Sequence, residues 1–151
     1  MKNKKLKILI DTNVAITYIS GREDKYADES VAIIKHCANG KCDGFIALHS
    51  IATIWYYTRR LPQETRREWL LNICTALTVV GVGHNSVIDA IKKDDFFDFE
   101  DCLQDKCAKE AQCDYIATVN TTDFQFSEVL AVNPAECLSL IDSEESGDDW
   151  V

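Results

Sequence analysis

Residues 7–14 read KILIDTNV, and this short stretch decides the fold class. With Leu6 before them, Ile8, Leu9 and Ile10 form a nearly continuous apolar run. Successive side chains of a strand point to opposite faces, so consecutive apolar residues make a strand that is buried on both sides. Such strands belong to parallel sheets covered by helices. The run stops at Asp11, followed by Thr12 and Asn13. In open α/β sheets ligands bind beyond the carboxyl ends of the strands, so these polar residues mark the place to look for chemistry.

Working outward, helical and strand patterns alternate. Residues 29–39 carry apolar side chains at helical spacing, with Gly40 as a C-terminal stop. A second strand is expected over 44–48, then a helix capped by Ser50 and carrying Ile51, Ile54 and Trp55. Pro62 breaks it, and a helix over 63–77 follows, with Trp69, Leu70, Ile73 and Leu77 as its buried stripe. A β-branched run over 78–82 reads as a strand, and Asn85 or Ser86 as the cap of a short helix. Asp98 opens a helix to about residue 112, residues 115–119 form another buried strand, and Asn133-Pro134 starts a last helix. Strands separated by helices imply an α/β fold with a central parallel sheet and helices on both faces.

The composition fits that picture. At 151 residues and 46% apolar content the chain matches one globular domain, expected over 1–141, with an acidic tail over 142–151. No apolar run approaches the ~20 residues that span a bilayer, and the basic start at 1–5 leads into a strand and not a signal core. A cytoplasmic protein without membrane contact is expected. The seven cysteines are odd in number and irregularly spaced, which favours reduced thiols over a disulfide framework or a zinc site. The net charge of −9 argues against a large basic nucleic-acid surface. Carboxylates that hold a divalent metal would offset part of it.

Three carboxylates fall at expected element ends. Asp11 follows the first strand, Asp101 sits in the first turn of the helix opened by Asp98, and Asp123 follows the strand at 115–119 in the segment Asn120-Thr121-Thr122-Asp123. Asp98 and Asp101 are three apart and share one side of the helix start. If these ends meet, the carboxylates gather within one metal's coordination sphere. Two carboxylates at about 4 Å repel by ~4 kcal/mol at an effective dielectric of 20, a penalty that a cation removes. Ligands that are all oxygen select Mg²⁺ or Mn²⁺ over zinc. Taken singly, each residue also has an ordinary reading. Asp11 could start a turn, Asp98 could be an N-cap, Asp101 could belong to a capping box, and Asp123 could be a turn residue. His36, His49 and His84 show no ligand spacing, and Arg59–Arg60 and Arg66–Arg67 read as solvated helix faces or phosphate contacts.

The joint pattern is more specific. The stretches KILIDTNV, DFFDFEDCLQDKCAKEAQCDYIATVNTTDF and VNPAECL resemble the PIN domain, in the order and spacing of small bacterial members of VapC type. The resemblance spans roughly residues 7–140. It implies a PIN-like three-layer α/β/α sandwich around a parallel sheet. It further implies a Mg²⁺- or Mn²⁺-dependent endoribonuclease, in many members the toxin of a toxin–antitoxin pair, with RNA as substrate, a cognate antitoxin and a homodimer. By motif, Asp11, Asp101 and Asp123 would be catalytic and metal-holding, Asp98 a further ligand, and Asn13 and Asn120 substrate contacts. One departure stands out. The family usually places an acid early in the helix after the second strand, and Thr53 occupies that position here.

Two function classes follow. The first is a ribonuclease, and the second is a catalytically impaired PIN-like module that binds RNA or protein. A receiver or phosphatase of similar design is weaker, because it wants paired acids where Thr12 and Asn13 follow Asp11.

Overall fold

The strand read from residues 7–10 is the centre of the sheet. The computed structural model describes residues 4–148. In chain order the elements are β1 (Lys7–Ile10), α1 (Thr12–Ser20), α2 (Ala27–Ala38), β2 (Asp43–Ala47), α3 (Leu48–Tyr57), α4 (Gln63–Ala76) and β3 (Thr78–Val80). Then come α5 (His84–Lys92), α6 (Phe99–Glu110), β4 (Tyr115–Ala117), a 3₁₀ turn (Thr121–Phe124), β5 (Leu130–Val132) and α7 (Pro134–Asp148). The five strands are all parallel, in the order β3-β2-β1-β4-β5. No helix of the described residues is long and apolar enough to cross a membrane.

The doubly buried reading of β1 is met residue by residue. Ile8 and Ile10 join a cluster with Val14, Ile33, Ile34, Ile54 and Ile73, which α1, α2, α3 and α4 contribute. Leu9 faces the other way, into a cluster with Cys107, Ala108, Ile116 and Phe124 beneath α6. All three β1 isoleucine and leucine side chains are fully buried. The layers are therefore helix, sheet, helix.

The order of strands creates a switch point. The chain first builds outward from β1 to β2 and β3, then crosses back to place β4 on the free side of β1. Connections leave β1 and β4 in opposite directions, and a crevice opens between their carboxyl ends.

Several local expectations are corrected. Helix α1 follows Asp11 directly, where the polar run Asp-Thr-Asn reads locally as turn chemistry; Asp11 is its N-cap and Gly21, at φ 66°, closes it. Ser50 does not cap α3, which begins at Leu48 straight from the extended Ala47; Ser50 is buried one turn in. Helix α5 starts at His84 behind Gly83 and not behind Asn85 or Ser86. The three-residue strand β5 was too short to leave a pattern. Where the chemistry of the helix start is strong, the reading stands: Asp98 caps α6 through the Glu100 N–H at 2.7 Å. Asn133 and Glu136 form a reciprocal capping box at the start of α7, with bonds of 2.8 and 3.1 Å. The boundary placed at residue 141 falls inside α7, which continues to Asp148; the rest of the expected tail, 149–151, lies outside the described residues.

At the opposite end of the sheet the fold packs sulfur. Cys37 and Cys42 bring their Sγ atoms to 3.4 Å, with Cys137 in the same cluster. Gly44 on β2 permits this close approach. A Cβ there would lie 2.6 Å from Cys37 Sγ and 2.5 Å from Leu77 Cδ2. All seven cysteines are free, and among them only Cys74 is exposed.

Candidate active site

Asp11 stands at the switch point because β1 ends there and its backbone is tied to β4 on one side and to the first turn of α1 on the other. Its N–H donates to the Ala117 carbonyl of β4 at 3.0 Å. Its carboxylate is 6% exposed, and both oxygens are held: Oδ1 accepts from the Thr12 N–H and Oδ2 from Thr118 Oγ1, each at 2.8 Å. Burial pushes the Asp11 pKa up, the two hydrogen bonds oppose that, and the charge of Asp123 adds to it. Oriented but poorly solvated, this carboxylate is prepared for a cation.

A polar network beside Asp11 joins three elements. Thr12 Oγ1 and Ser50 Oγ lie 2.7 Å apart, and Gln104 Nε2 donates to both, at 3.2 and 2.7 Å. These residues come from α1, α3 and α6, so the network locks the three helices against the sheet. Gln104 is 2% exposed, and its Oε1 has no protein partner. An unsatisfied buried acceptor costs roughly 1–3 kcal/mol and is uncommon away from functional sites.

Asp101 is half-buried in the first turn of α6. Its pKa is pushed up to about 7, first by burial and then by the charges of Asp11, Asp98, Asp123 and Glu100. Asp98 is exposed and occupied as the α6 cap, while Asp123 is half-buried in the 3₁₀ turn. The four sequence-derived carboxylates thus share one field at the rim. Asn120 is exposed beside them, its N–H donating to Thr118 Oγ1 at 3.1 Å. Asn13 is turned toward Arg22, whose Nη2 donates to its Oδ1 at 3.3 Å.

The expected closed coordination sphere is not formed. Among the described residues no group of three or more His, Cys, Asp or Glu side chains is gathered tightly enough to hold a metal ion. Mutual repulsion opposes such closure, because charges of one sign move apart unless a cation lies between them. The donor set itself suits a hard divalent ion. It is all oxygen, it carries excess negative charge, and burial raises the cost of that charge.

Two neighbours of Asp11 escaped the sequence reading. His49, which shows no ligand spacing in the sequence, lies in the field of Asp11 and Glu100; burial pulls its pKa down, those charges oppose it, and its Nε2 is buried without a partner. Gln104 sits three residues after Asp101 within the stretch DFFDFEDCLQ that carries the family resemblance, and its spacing from Asp101 is the signal that could have found it. Thr53, where an acid was expected, bonds the His49 carbonyl through Oγ1 at 3.0 Å.

Comparison with known proteins places the fold. No curated protein sequence matches the chain. Among solved structures, the crystal structure of FitAcB from Neisseria gonorrhoeae has a similar fold, with a TM-score of 0.60 and 16% identity. That match covers 85% of this chain and 98% of the other. The PIN domain family matches residues 7–122, from the first residue of β1 into the 3₁₀ turn that carries Asp123. With the parallel five-stranded sheet and the acidic switch-point crevice, that match leads to one conclusion: the chain belongs to the PIN domain family.

Proposed function

We propose that the protein is a Mg²⁺- or Mn²⁺-dependent endoribonuclease. Asp11, Asp101 and Asp123 hold the metal, and Asp98 adds negative charge at the helix start. The observation that carries the reading is Asp101, whose pKa is pushed up to about 7 in the company of four other carboxylates. Structural ion-pair networks also shift pKa values, but the largest charges that act on Asp101 are all carboxylates, those of Asp11, Asp98, Asp123 and Glu100. A bound divalent ion would polarise a phosphodiester and supply a more acidic water as nucleophile.

The protein's own residues do the positioning. Thr118 and the Thr12 N–H fix the Asp11 carboxylate, and Gln104 fixes Thr12 and Ser50 beside it. Asn120, exposed on the same loop as Asp123, is assigned to the substrate backbone, and Asn13 to the same task from α1. By its resemblance to small VapC-type proteins, the chain acts in the cytoplasm as a toxin restrained by a cognate antitoxin, as a homodimer. Thr53 favours a second reading, a PIN-like module with weakened turnover that works by binding RNA or protein.

Incubation of the purified protein with Mn²⁺ and single-stranded RNA separates the two. Cleavage by the wild type, lost in Asp101→Asn while the circular dichroism spectrum is kept, supports the nuclease. Intact RNA across Mg²⁺ and Mn²⁺ would leave the binding module.

A further inference from the structure

Four of the chain's five arginines, Arg59, Arg60, Arg66 and Arg67, fall within nine residues of a protein whose net charge is −9. They occupy the turn between α3 and α4 and the first turns of α4. Among the described residues none of the four forms an ion pair with a carboxylate, although Glu64 and Glu68 share α4. Three of them pack on aromatic rings instead. The guanidinium of Arg66 lies 3.5 Å from the Trp55 ring centre, that of Arg67 5.4 Å from the same ring, and that of Arg59 4.2 Å from Tyr56.

Arg66 is the strut of this arrangement. It is 8% exposed, and it donates to Thr58 Oγ1 and to the Trp55 carbonyl, which ties α4 to the end of α3. Arg59, Arg60 and Arg67 remain exposed, as do Tyr56 (65%) and Tyr57 (48%). The result is a fixed patch of cations and π-faces with no protein anion paired to it among the described residues. Phosphates and unstacked bases are the matching chemistry.

The patch also has a route to the carboxylates. Helix α3 starts at the rim, where His49 faces Asp11 and Ser50 bonds Thr12. Its ten residues carry the chain ~15 Å to Tyr57. A groove of about 630 Å³ runs beside it from His49 to Trp55 and Leu70, and apart from His49 its lining is apolar, with Ile51, Val82, Val87 and Leu103.

We propose that the α3–α4 turn is the docking surface for single-stranded RNA, with phosphates on Arg59, Arg60 and Arg67 and bases against Tyr56 and Tyr57. The strand continues along α3 to the rim, with its bases and not its phosphates over the apolar groove. The choice of RNA over other polyanions rests on the nuclease reading, whereas the existence of the patch does not.

The test is fluorescence anisotropy of a labelled single-stranded RNA with Asp101→Asn protein in Mg²⁺, so that the strand stays whole. Adding Arg59→Ala, Arg60→Ala and Arg67→Ala together should weaken binding at least tenfold. It should also flatten the salt dependence of log K by about 2, at ~0.7 for each phosphate that is no longer neutralised. Lysine at the same three positions should restore most of the salt slope, which excludes misfolding as the cause. Unchanged affinity in the alanine variant, or no RNA binding by its parent, would overturn the proposal. So would displacement of the RNA by polyglutamate as effectively as by unlabelled RNA, which would make the patch a site for acidic polypeptide. RNA bound through the patch but never cut by the wild type would end the nuclease reading alone. Cleavage with an unchanged KM in the wild-type background carrying the three alanines would end the patch alone.

Discussion

Asp101 and Asp105 stand one turn apart on the same side of α6, and their surroundings are opposite. Asp105 is 3% exposed, and its oxygens accept the backbone N–H groups of Glu128 and Val129, each at 3.0 Å. That pair of bonds fastens the segment leading into β5 beneath the helix. Asp101 meets four carboxylates and is forced toward its protonated form. A buried carboxylate with its acceptors filled by the backbone is part of the scaffold. One whose largest charged neighbours are all carboxylates is a cost to the metal-free fold at neutral pH, and that cost is what the proposed metal role would offset. Without that contrast, two acids at i and i+4 look equivalent in a sequence.

The largest expected effect lies on the scaffold side. Asp105→Ala leaves two backbone donors without acceptors in a buried place and should destabilise the protein by about 3 kcal/mol. Urea denaturation reads this directly, and Asp105→Asn, which keeps one oxygen, should lose less. If Asp101→Ala proved equally damaging in metal-free buffer, the distinction between the two positions would collapse.

A smaller effect of opposite sign is expected at Asp101. Its folded pKa of about 7 lies above the ordinary 3.8, so the folded state binds the proton more tightly than the unfolded chain. The associated stability is fully present below about pH 4, falls as pH rises toward 7, and is gone above it. Metal-free Asp101→Asn should therefore match the wild type near pH 4, where both side chains are neutral. It should exceed the wild type at pH 8, by on the order of 1 kcal/mol once solvent screening of a half-exposed group is allowed for. Thermal melts of the two proteins across that range decide the matter. A constant difference would mean that Asp101 does not titrate as described.

The smallest change tests the missing acid. Thr53→Glu gives up the bond to the His49 carbonyl and adds a negative charge to α3, the helix that also carries Ser50. If position 53 reaches the rim, Mn²⁺ should bind severalfold more tightly by calorimetry, with little change in the metal-free melting temperature. Unaltered affinity would place Thr53 outside the metal's field.

The parts of the fold visible in the sequence are those written in local chemistry. Three consecutive apolar residues specify β1, Asp98 and Asn133 announce their helices, and Pro62 separates α3 from α4. Helix α1 was hidden because the residues that begin it, Asp11-Thr12-Asn13, are good turn formers when read locally. The backbone bond from Asp11 to Ala117, a contact across the sheet, fixes them as a strand end, and the Val14 and Ala15 N–H groups donating to the Asp11 carbonyl fix the helix start. Asp11, Asp98, Asp101 and Asp123 were legible as a set because each lies at an element end. His49 and Gln104 were not, since their roles depend on partners 38 residues before and 54 residues before, Asp11 and Ser50. Asp105 carried no mark to separate it from Asp101.

The distribution of sulfur makes the chain report on its own integrity. Six of the seven thiols are enclosed and only Cys74 faces solvent, so a thiol-specific dye should label one position quickly in the native protein. The other six become reactive only as the core opens. Cys37, Cys42 and Cys137 become accessible when α2 and α7 part from β2, whereas Cys102, Cys107 and Cys113 follow α6 and the chain leaving it. The order in which these two groups acquire label records which half of the sandwich comes apart first.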